Sequence, residues 1–246
     1  MTSSHLKRAD IVLVERGFFE SRAKAREAIE AGLVLCDGKP VRKASEPIGA
    51  DANISAQAPY PWVSRGGLKL AAALDHFLID PNDRVCLDIG ASTGGFTDVL
   101  LSRGARKVWA IDVGHSQLHP RIAADPRVVS REGVDARSLE PFDPPPSLIV
   151  CDVSFISLKL VWPHVLPLAA PDALLISLIK PQFEAGRDAS RKGIVRDAAI
   201  HARVCAEIGA QAKSLGWTSL GVIPSPIEGG DGNREFLIGA RRSTSP

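Results

Sequence analysis

The residues best suited to do chemistry cluster around one glycine-rich run, LDIGASTGGFTDVLL at 87–101. It joins a short apolar stretch to an amphipathic one, so it reads as the turn from a buried strand into a helix. Glycines in such a turn let backbone approach a ligand closely, and the helix start aims N–H groups at it. Asp112 follows 22 residues after Gly90, at the end of the next apolar stretch. A carboxylate there can accept both hydroxyls of a ribose, which fits a nicotinamide cofactor as well as an adenosine-bearing one. The loop separates the two. Gly90-Ala91-Ser92-Thr93-Gly94-Gly95 departs from G-x-G-x-x-G, whose second glycine makes room for a pyrophosphate. Asp88, just before the first glycine, suits a cationic amino-acid group, and S-adenosylmethionine is such a ligand without a phosphate. Phe96 continues the loop, and Asp135 is placed to touch an adenine amine or to cap a helix.

A second set lies further on. Asp152 and Lys180 each end a strongly apolar run, SLIVC and LLISLI. Methyltransferases acting on exocyclic base nitrogens typically carry N/D-P-P-Y/F at the first of these positions. This chain has Asp152-Val153-Ser154-Phe155, which favours oxygen over nitrogen as acceptor. Phe155 and Phe183 could stack on a splayed base or belong to the core. A third set is basic. Arg22 and Arg26, four apart, share a helix face with Lys24 beside them, and Lys39, Arg42 and Lys43 follow. On charge alone these make an ordinary solvated face. Arg187, Arg191, Lys192 and Arg196 mark a basic loop over 186–196, readable as a substrate-side loop or a solvated one.

The elements that must position these sets fall into two blocks. Residues 64–246 alternate apolar strands with helical stretches, the pattern of a parallel sheet with helices on both faces. An opening helix, GLKLAAALDHF, precedes strands RVCLDIG, KVWAIDVG, RVVS, SLIVCDVSF, ALLISLIKP, SLGVIPS and EFLIGARR. The expected α/β architecture is a Rossmann-like, seven-stranded doubly wound sheet whose last strand is inserted antiparallel. Residues 6–57 form a smaller α+β unit. Leu6, Ile11, Val12 and Val14 fit one short helix ending at Gly17, and Ser21 caps a second that Gly32 closes. Asp37-Gly38 sits between apolar runs as a hairpin turn, and ANISA at 52–56 adds a strand. Pro59 and Pro61 make 58–63 an extended linker, with Trp62 packing at the joint.

Bulk properties narrow the class. The chain has 246 residues, 45% of them hydrophobic and 24% charged, which suits one sizeable core plus a small module. A net charge of +2 does not announce a nucleic-acid binder, so any basic face must come from arrangement. Cys36, Cys86, Cys151 and Cys205 are far apart and form no CxxC or His/Cys cluster, so neither a disulfide framework nor a metal site is expected. The N-terminal residues lack a signal-peptide pattern, and no run approaches the roughly 18 apolar residues of a membrane span. A reducing cytoplasm is the expected location.

LKRADIVLVERGFFESRAKAREAIEAGLVLCDGKPVRK resembles the S4 RNA-binding domain. The resemblance implies that residues 1–57 grip RNA phosphates through Arg22, Lys24, Arg26, Lys39, Arg42 and Lys43, with Arg65 added from the catalytic block. From SRGGLKL through DIGASTGGFTDVLL, CDVSFISL, LIKPQFE and GNREFL, the chain resembles the TlyA family, a branch of FtsJ-like ribose methyltransferases often labelled hemolysins. That resemblance implies S-adenosylmethionine as cofactor and a catalytic tetrad on Lys69, Asp152, Lys180 and Glu235. Lysine ordinarily titrates near ~10.4, and burial beside a second ammonium lowers it. Lys180 would then accept or polarise a 2′-hydroxyl proton, Asp152 would hold it, and Lys69 with Glu235 would complete the network. The implied substrate is cytidine ribose in large-subunit (23S) ribosomal RNA. Small-subunit (16S) RNA is left in doubt, because the shorter family form is associated with the large subunit alone. Two other readings stay open: an RNA-binding ribosome-assembly factor without catalysis, and a membrane-lytic protein, for which no strongly amphipathic basic helix is seen.

Overall fold

The computed structural model describes residues 6–186, 193–230 and 232–243. The chain divides into two compact units, Met1–Pro61 and Trp62–Pro246.

In the first unit, β1 (Leu6–Arg8) leads into α1 (Ala9–Glu15), followed by α2 (Arg22–Glu30), β2 (Val34–Cys36), β3 (Lys39–Pro40), β4 (Pro47–Gly49) and β5 (Ile54–Ala56). β3, β2 and β5 form one antiparallel sheet, and β1 pairs with β4. The Ser21 hydroxyl accepts from Lys24 N at 3.3 Å and starts α2. Asp37 and Gly38 have φ of 49° and 74°, the turn that matches the twist of a two-residue hairpin. Leu6 departs from expectation: it pairs with Gly49 in a strand and is not helical. The helix starts later because the Ala9 and Asp10 amides donate to the carbonyls of Glu46 (2.8 Å) and Ala44 (3.1 Å). Leu13, Phe19, Ala28, Ile29 and Val34 pack into this unit's own core.

The second unit runs α3 (Gly66–Phe77), β6 (Val85–Ile89), α4 (Gly95–Ser102), β7 (Lys107–Asp112), α5 (Pro120–Ala123), β8 (Val128–Glu132), β9 (Leu148–Cys151), α6 (Leu158–Val165), β10 (Leu174–Ile179), α7 (Pro181–Glu184), α8 (Ala198–Ser214), β11 (Trp217–Pro224) and β12 (Phe236–Arg242). The strand order is β11-β12-β10-β9-β6-β7-β8, with β12 antiparallel to both neighbours and the pairs from β10 to β8 parallel. Burial of both faces explains why the central strands read as continuous apolar runs. Alternate residues serve alternate layers: Leu87, Ile149 and Leu175 face the core that includes Trp162 of α6 and Val204 of α8. Cys86, Val150 and Ile176 face the core formed with Leu70 of α3 and Val99 of α4. Trp62 packs within this unit: a Cβ on Gly67 would lie 2.8 Å from its ring, and its indole N–H donates to Ser102 Oγ at 3.4 Å. Among the described residues, no helix is long and apolar enough to cross a membrane, and no group of three or more side chains could hold a metal ion.

Candidate active site

The parallel strands deliver their carboxyl ends, and the loops that follow, to one edge of the sheet. Gly90 leaves β6 with φ +80°, and a Cβ there would come within 2.4 Å of the Asp152 carbonyl oxygen. Only glycine allows the loops after β6 and β9 to approach so closely. Gly95 opens α4 against Ser64, whose Oγ would lie 2.1 Å from an added Cβ. Gly94 caps α4 with φ +93°.

Four carboxylates are held in different ways. Asp88 is fully buried; its Oδ2 accepts from Thr97 Oγ1 at 2.6 Å, while Oδ1 has no partner. Burial pushes its carboxyl up to about 7, opposed by the Thr97 hydrogen bond and reinforced by the charge of Asp152. Asp112 is anchored at both oxygens, accepting from Gly114 N at 2.7 Å and Ser92 N at 2.8 Å. Asp135 caps the short 3-10 turn Ala136–Ser138 and pairs with Arg137 at 2.6 Å, which holds its carboxyl down at about 2. Asp152 is taken up with the tetrad below.

A cavity of about 540 Å³ opens among these groups, lined by Gly90, Ser92, Asp112, Asp135, Asp152 and Phe155 among others. A volume of that size suits a whole nucleoside-bearing ligand. Ala91, Thr93, Gly95 and Phe96 line a smaller recess of about 110 Å³ that shares Gly90, Ser92 and Asp152 with the larger one. Asp88 and Gly94 stand behind these walls, one buried beneath the loop and the other at the start of α4.

Asp152 and Lys180 follow β9 and β10, and Glu235 precedes antiparallel β12, so all three emerge at the same edge. The register pairs Ile179 with Phe236, which sets Lys180 beside Glu235 in the sheet frame. Lys180 Nζ lies 2.6 Å from Asp152 Oδ1 as an ion contact not aligned for a hydrogen bond, and donates to Ser154 Oγ at 2.8 Å. Lys69, on α3, reaches Glu235 Oε2 at 2.6 Å with both side chains almost wholly buried. A Cβ on Gly229 would lie 2.6 Å from Glu235 Oε1, so backbone closes around that carboxylate. The four residues therefore form two tight ion pairs, and Asp152 belongs both to a pair and to the cavity wall.

The expected RNA contacts separate into two kinds. Arg26, Lys39, Arg42 and Lys43 are exposed with no side-chain partner among the described residues, and Arg65 is exposed at the start of α3. Arg22 and Lys24 are engaged: Arg22 pairs with Asp10 at 2.8 Å and Lys24 with Glu20 at 3.3 Å. Arg187, Arg191 and Lys192 lie outside the described residues, and Arg196 is exposed.

Two features escaped sequence reasoning, and a third position was left open by it. Asp10, fully buried, is clamped by Arg8 at 2.9 Å as well as by Arg22, which hold its carboxyl at about 2. Glu132 accepts from the amides of Ser116 (2.7 Å), Gln117 (2.7 Å) and Leu118 (3.0 Å) and so shapes the loop after β7. Phe155, for which the sequence left stacking and core as alternatives, is 91% exposed at φ +64°, rests 5.2 Å from the Phe183 ring and is no core residue. The KRAD run was the one available signal for Asp10, and nothing local announces the role of Glu132.

Comparison with known proteins gives the same architecture. Residues 62–242 match FtsJ-like methyltransferases and residues 7–54 match the S4 domain. The chain is 43% identical to the 16S/23S rRNA (cytidine-2'-O)-methyltransferase TlyA of Mycobacterium tuberculosis, over 96% of this chain and 90% of that protein. A solved structure of a Streptococcus thermophilus protein proposed to be a hemolysin is 40% identical with a TM-score of 0.77, covering 99% of this chain and 91% of that one. An S-adenosylmethionine-dependent methyltransferase from Mesorhizobium loti, 15% identical, shares the fold of the second unit, with a TM-score of 0.52 over 70% of this chain and 96% of that one. The matched models and the 43% identity along nearly the whole chain settle the family: the chain belongs to the FtsJ-like methyltransferases, in the TlyA branch that carries an S4 domain in front.

Proposed function

We propose that the protein transfers a methyl group from S-adenosylmethionine to the 2′-hydroxyl of a cytidine in ribosomal RNA, with residues 1–57 capturing RNA and residues 64–246 doing the chemistry. The observation that carries this reading is the double position of Asp152, which lines the nucleoside-sized cavity and touches Lys180.

The residues around the cavity fit the cofactor. Asp88 lies behind the cavity wall with one buried carboxylate oxygen unpartnered, which sets a carboxylate beneath the loop that would hold the ligand's ammonium group. Asp112 uses one lone pair of each oxygen on backbone, leaving the others for ribose hydroxyls. Gly90 and Ser92 bring backbone to the cavity, and Asp135 stands at its wall. When bound, S-adenosylmethionine supplies an electrophilic methyl carbon on a sulfonium.

The chain's own residues then do the following. Lys180 Nζ takes or polarises the 2′-hydroxyl proton as the oxygen approaches in line, and Asp152 and Ser154 fix that Nζ in place. The Lys69–Glu235 pair, neutral as a unit and buried, walls the other side of the reacting ribose. Phe155, exposed and held in a strained backbone conformation, is available to stack on the unpaired base. Such positioning explains why the acceptor is an oxygen held near a lysine and not an amine held by a proline-rich loop. A ribosomal substrate goes with a cytoplasmic location.

The test is transfer of labelled methyl to purified unmethylated large and small ribosomal subunits, with Lys180→Ala alongside. Label in alkali-stable dinucleotides, lost in the variant, is the expected result, and its distribution assigns the subunit. Absence of label from both subunits despite cofactor binding overturns the reading.

A further inference from the structure

A second cavity, of about 210 Å³, opens beyond Glu235 on the same edge of the sheet. The order along that edge is informative. The nucleoside-sized cavity lies over the ends of β6, β7 and β9, the two ion pairs over β9, β10 and β12, and this second cavity at the junction of β12 with β11. It therefore sits on the opposite side of the reacting position from the cofactor. Arg234 and Glu235 are consecutive, so their Cα atoms are about 3.8 Å apart, and the cavity begins within one nucleotide's reach of the tetrad.

Its walls are built, and its rim is unused. Ser225 N donates to Glu235 O at 2.9 Å, Gly229 N to Asn233 O at 2.9 Å, and Ser225 Oγ to Ile227 O at 2.6 Å. Pro224, Pro226, Ile227 and Phe236 give apolar surface. Glu228 and Arg234 are both exposed and have no side-chain partner among the described residues, each other included. The space is smaller than the roughly 300–1,000 Å³ of sites that enclose a whole cofactor. It has room for one planar heterocycle, with one acceptor and one cation at its mouth.

A ribose inside an RNA strand brings two neighbours with it. One neighbour has to leave the tetrad on the side away from the cofactor, and single-stranded RNA is recognised by splaying such bases into apolar, hydrogen-bonding recesses. A carboxylate accepts from exocyclic amines, as from cytosine N4, and finds no such donor on uracil. A guanidinium suits the phosphate that comes with the base. We propose that this cavity is a nucleobase subsite for a nucleotide flanking the methylated ribose, selecting an amine-bearing base through Glu228 and holding its phosphate through Arg234. The proposal rests on the RNA methyltransferase reading above and adds to it a specificity site outside the tetrad.

The experiment measures steady-state methyl transfer to unmethylated large-subunit RNA by the parent protein, Glu228→Gln and Arg234→Ala. Arg241→Ala, an exposed arginine at the other end of β12, controls for loss of charge alone. The subsite predicts that KM for RNA rises on the order of tenfold in both cavity variants, with kcat within twofold and S-adenosylhomocysteine affinity unchanged. It also predicts that transcripts abasic at one flank of the target lose the same factor with the parent protein and nothing further with Glu228→Gln. An unchanged RNA KM in either variant, or unimpaired use by the parent protein of both the 5′-abasic and the 3′-abasic transcripts, overturns the subsite while leaving the methyltransferase reading intact. No transfer to RNA by the parent protein overturns the reading and the subsite together.

Discussion

At the scale of single residues, the site contrasts charges that are matched with one that is not. Lys180 and Lys69 each meet a carboxylate at 2.6 Å, so removing a lysine strands a buried or half-buried acid. Lys180→Ala should lower kcat by ~10²–10⁴-fold if the amine handles the hydroxyl proton. Cofactor affinity should stay within a fewfold by calorimetry, because Lys180 does not line the nucleoside-sized cavity. Asp88 is the unmatched charge. Its folded carboxyl titrates at about 7 against an ordinary 3.8, so the folded state holds the proton more tightly than the unfolded chain. The stability this lends is full below 3.8 and is lost as pH rises toward about 7. Asp88→Asn should therefore flatten the fall in Tm between about pH 5 and 7 in the cofactor-free protein while weakening cofactor binding. A Tm–pH curve parallel to the parent's would show that Asp88 is already ionised in the fold.

At the scale of elements, the loops matter more than the strands that carry them. Glu132 gathers three amides of the loop after β7, and Val113, Gly114 and Gln117 of that loop line the nucleoside-sized cavity. Those three hydrogen bonds hold its carboxyl below the usual glutamate range, so the brace is present above an ordinary 4.5 and fails only as pH falls below it. Glu132→Gln should raise the dissociation constant for S-adenosylmethionine severalfold while kcat at saturation stays near the parent value, since Glu132 belongs to neither ion pair and does not itself line the cavity. Gly90→Ala should be harsher, because its Cβ meets the Asp152 carbonyl and no side chain can swing aside to relieve that contact. These elements also mark what could be read beforehand. The glycine loop and the strand-ending Asp152 and Lys180 were legible because apolar runs and glycines are local signals. Glu132 was not, because its partners lie 14 to 16 residues away and meet it only once β8 aligns beside β7. Leu6 misled for the same reason: a three-residue strand has no period, and its pairing with β4 is a tertiary fact. The short helices α5 and α7 and strand β4 likewise left no periodic trace, whereas α6 carries one at Leu158, Val161, Trp162 and Val165, masked by Pro163 inside it.

At the scale of the whole molecule, the proposed function gives recognition and chemistry to separate units, so their energetics should separate in experiment. Arg26 and Lys43 are exposed and uncommitted, and their role in the proposed capture is electrostatic. Replacing both with alanine should weaken binding to ribosomal subunits and flatten the slope of log K against log salt by about 0.7 to 0.9 per lost phosphate contact. Cofactor affinity should not change. Arg22 belongs to a different class, because it shares Asp10 with Arg8 and that carboxylate has no exposure of its own. The two guanidiniums hold Asp10 at about 2, so the ion cluster is intact above an ordinary 3.8 and is lost only as pH falls toward about 2. At neutral pH Arg22→Ala leaves Asp10 half-compensated inside the first unit, and its effect on RNA should arrive together with a fall in Tm. Arg26→Ala should weaken RNA without moving Tm. Thermal unfolding and subunit binding measured on both variants therefore distinguish an arginine that only meets phosphate from one that also holds the RNA-binding unit in shape. Equal Tm values for the two would mean that Arg8 alone satisfies Asp10 and that Arg22 is as free for RNA as Arg26.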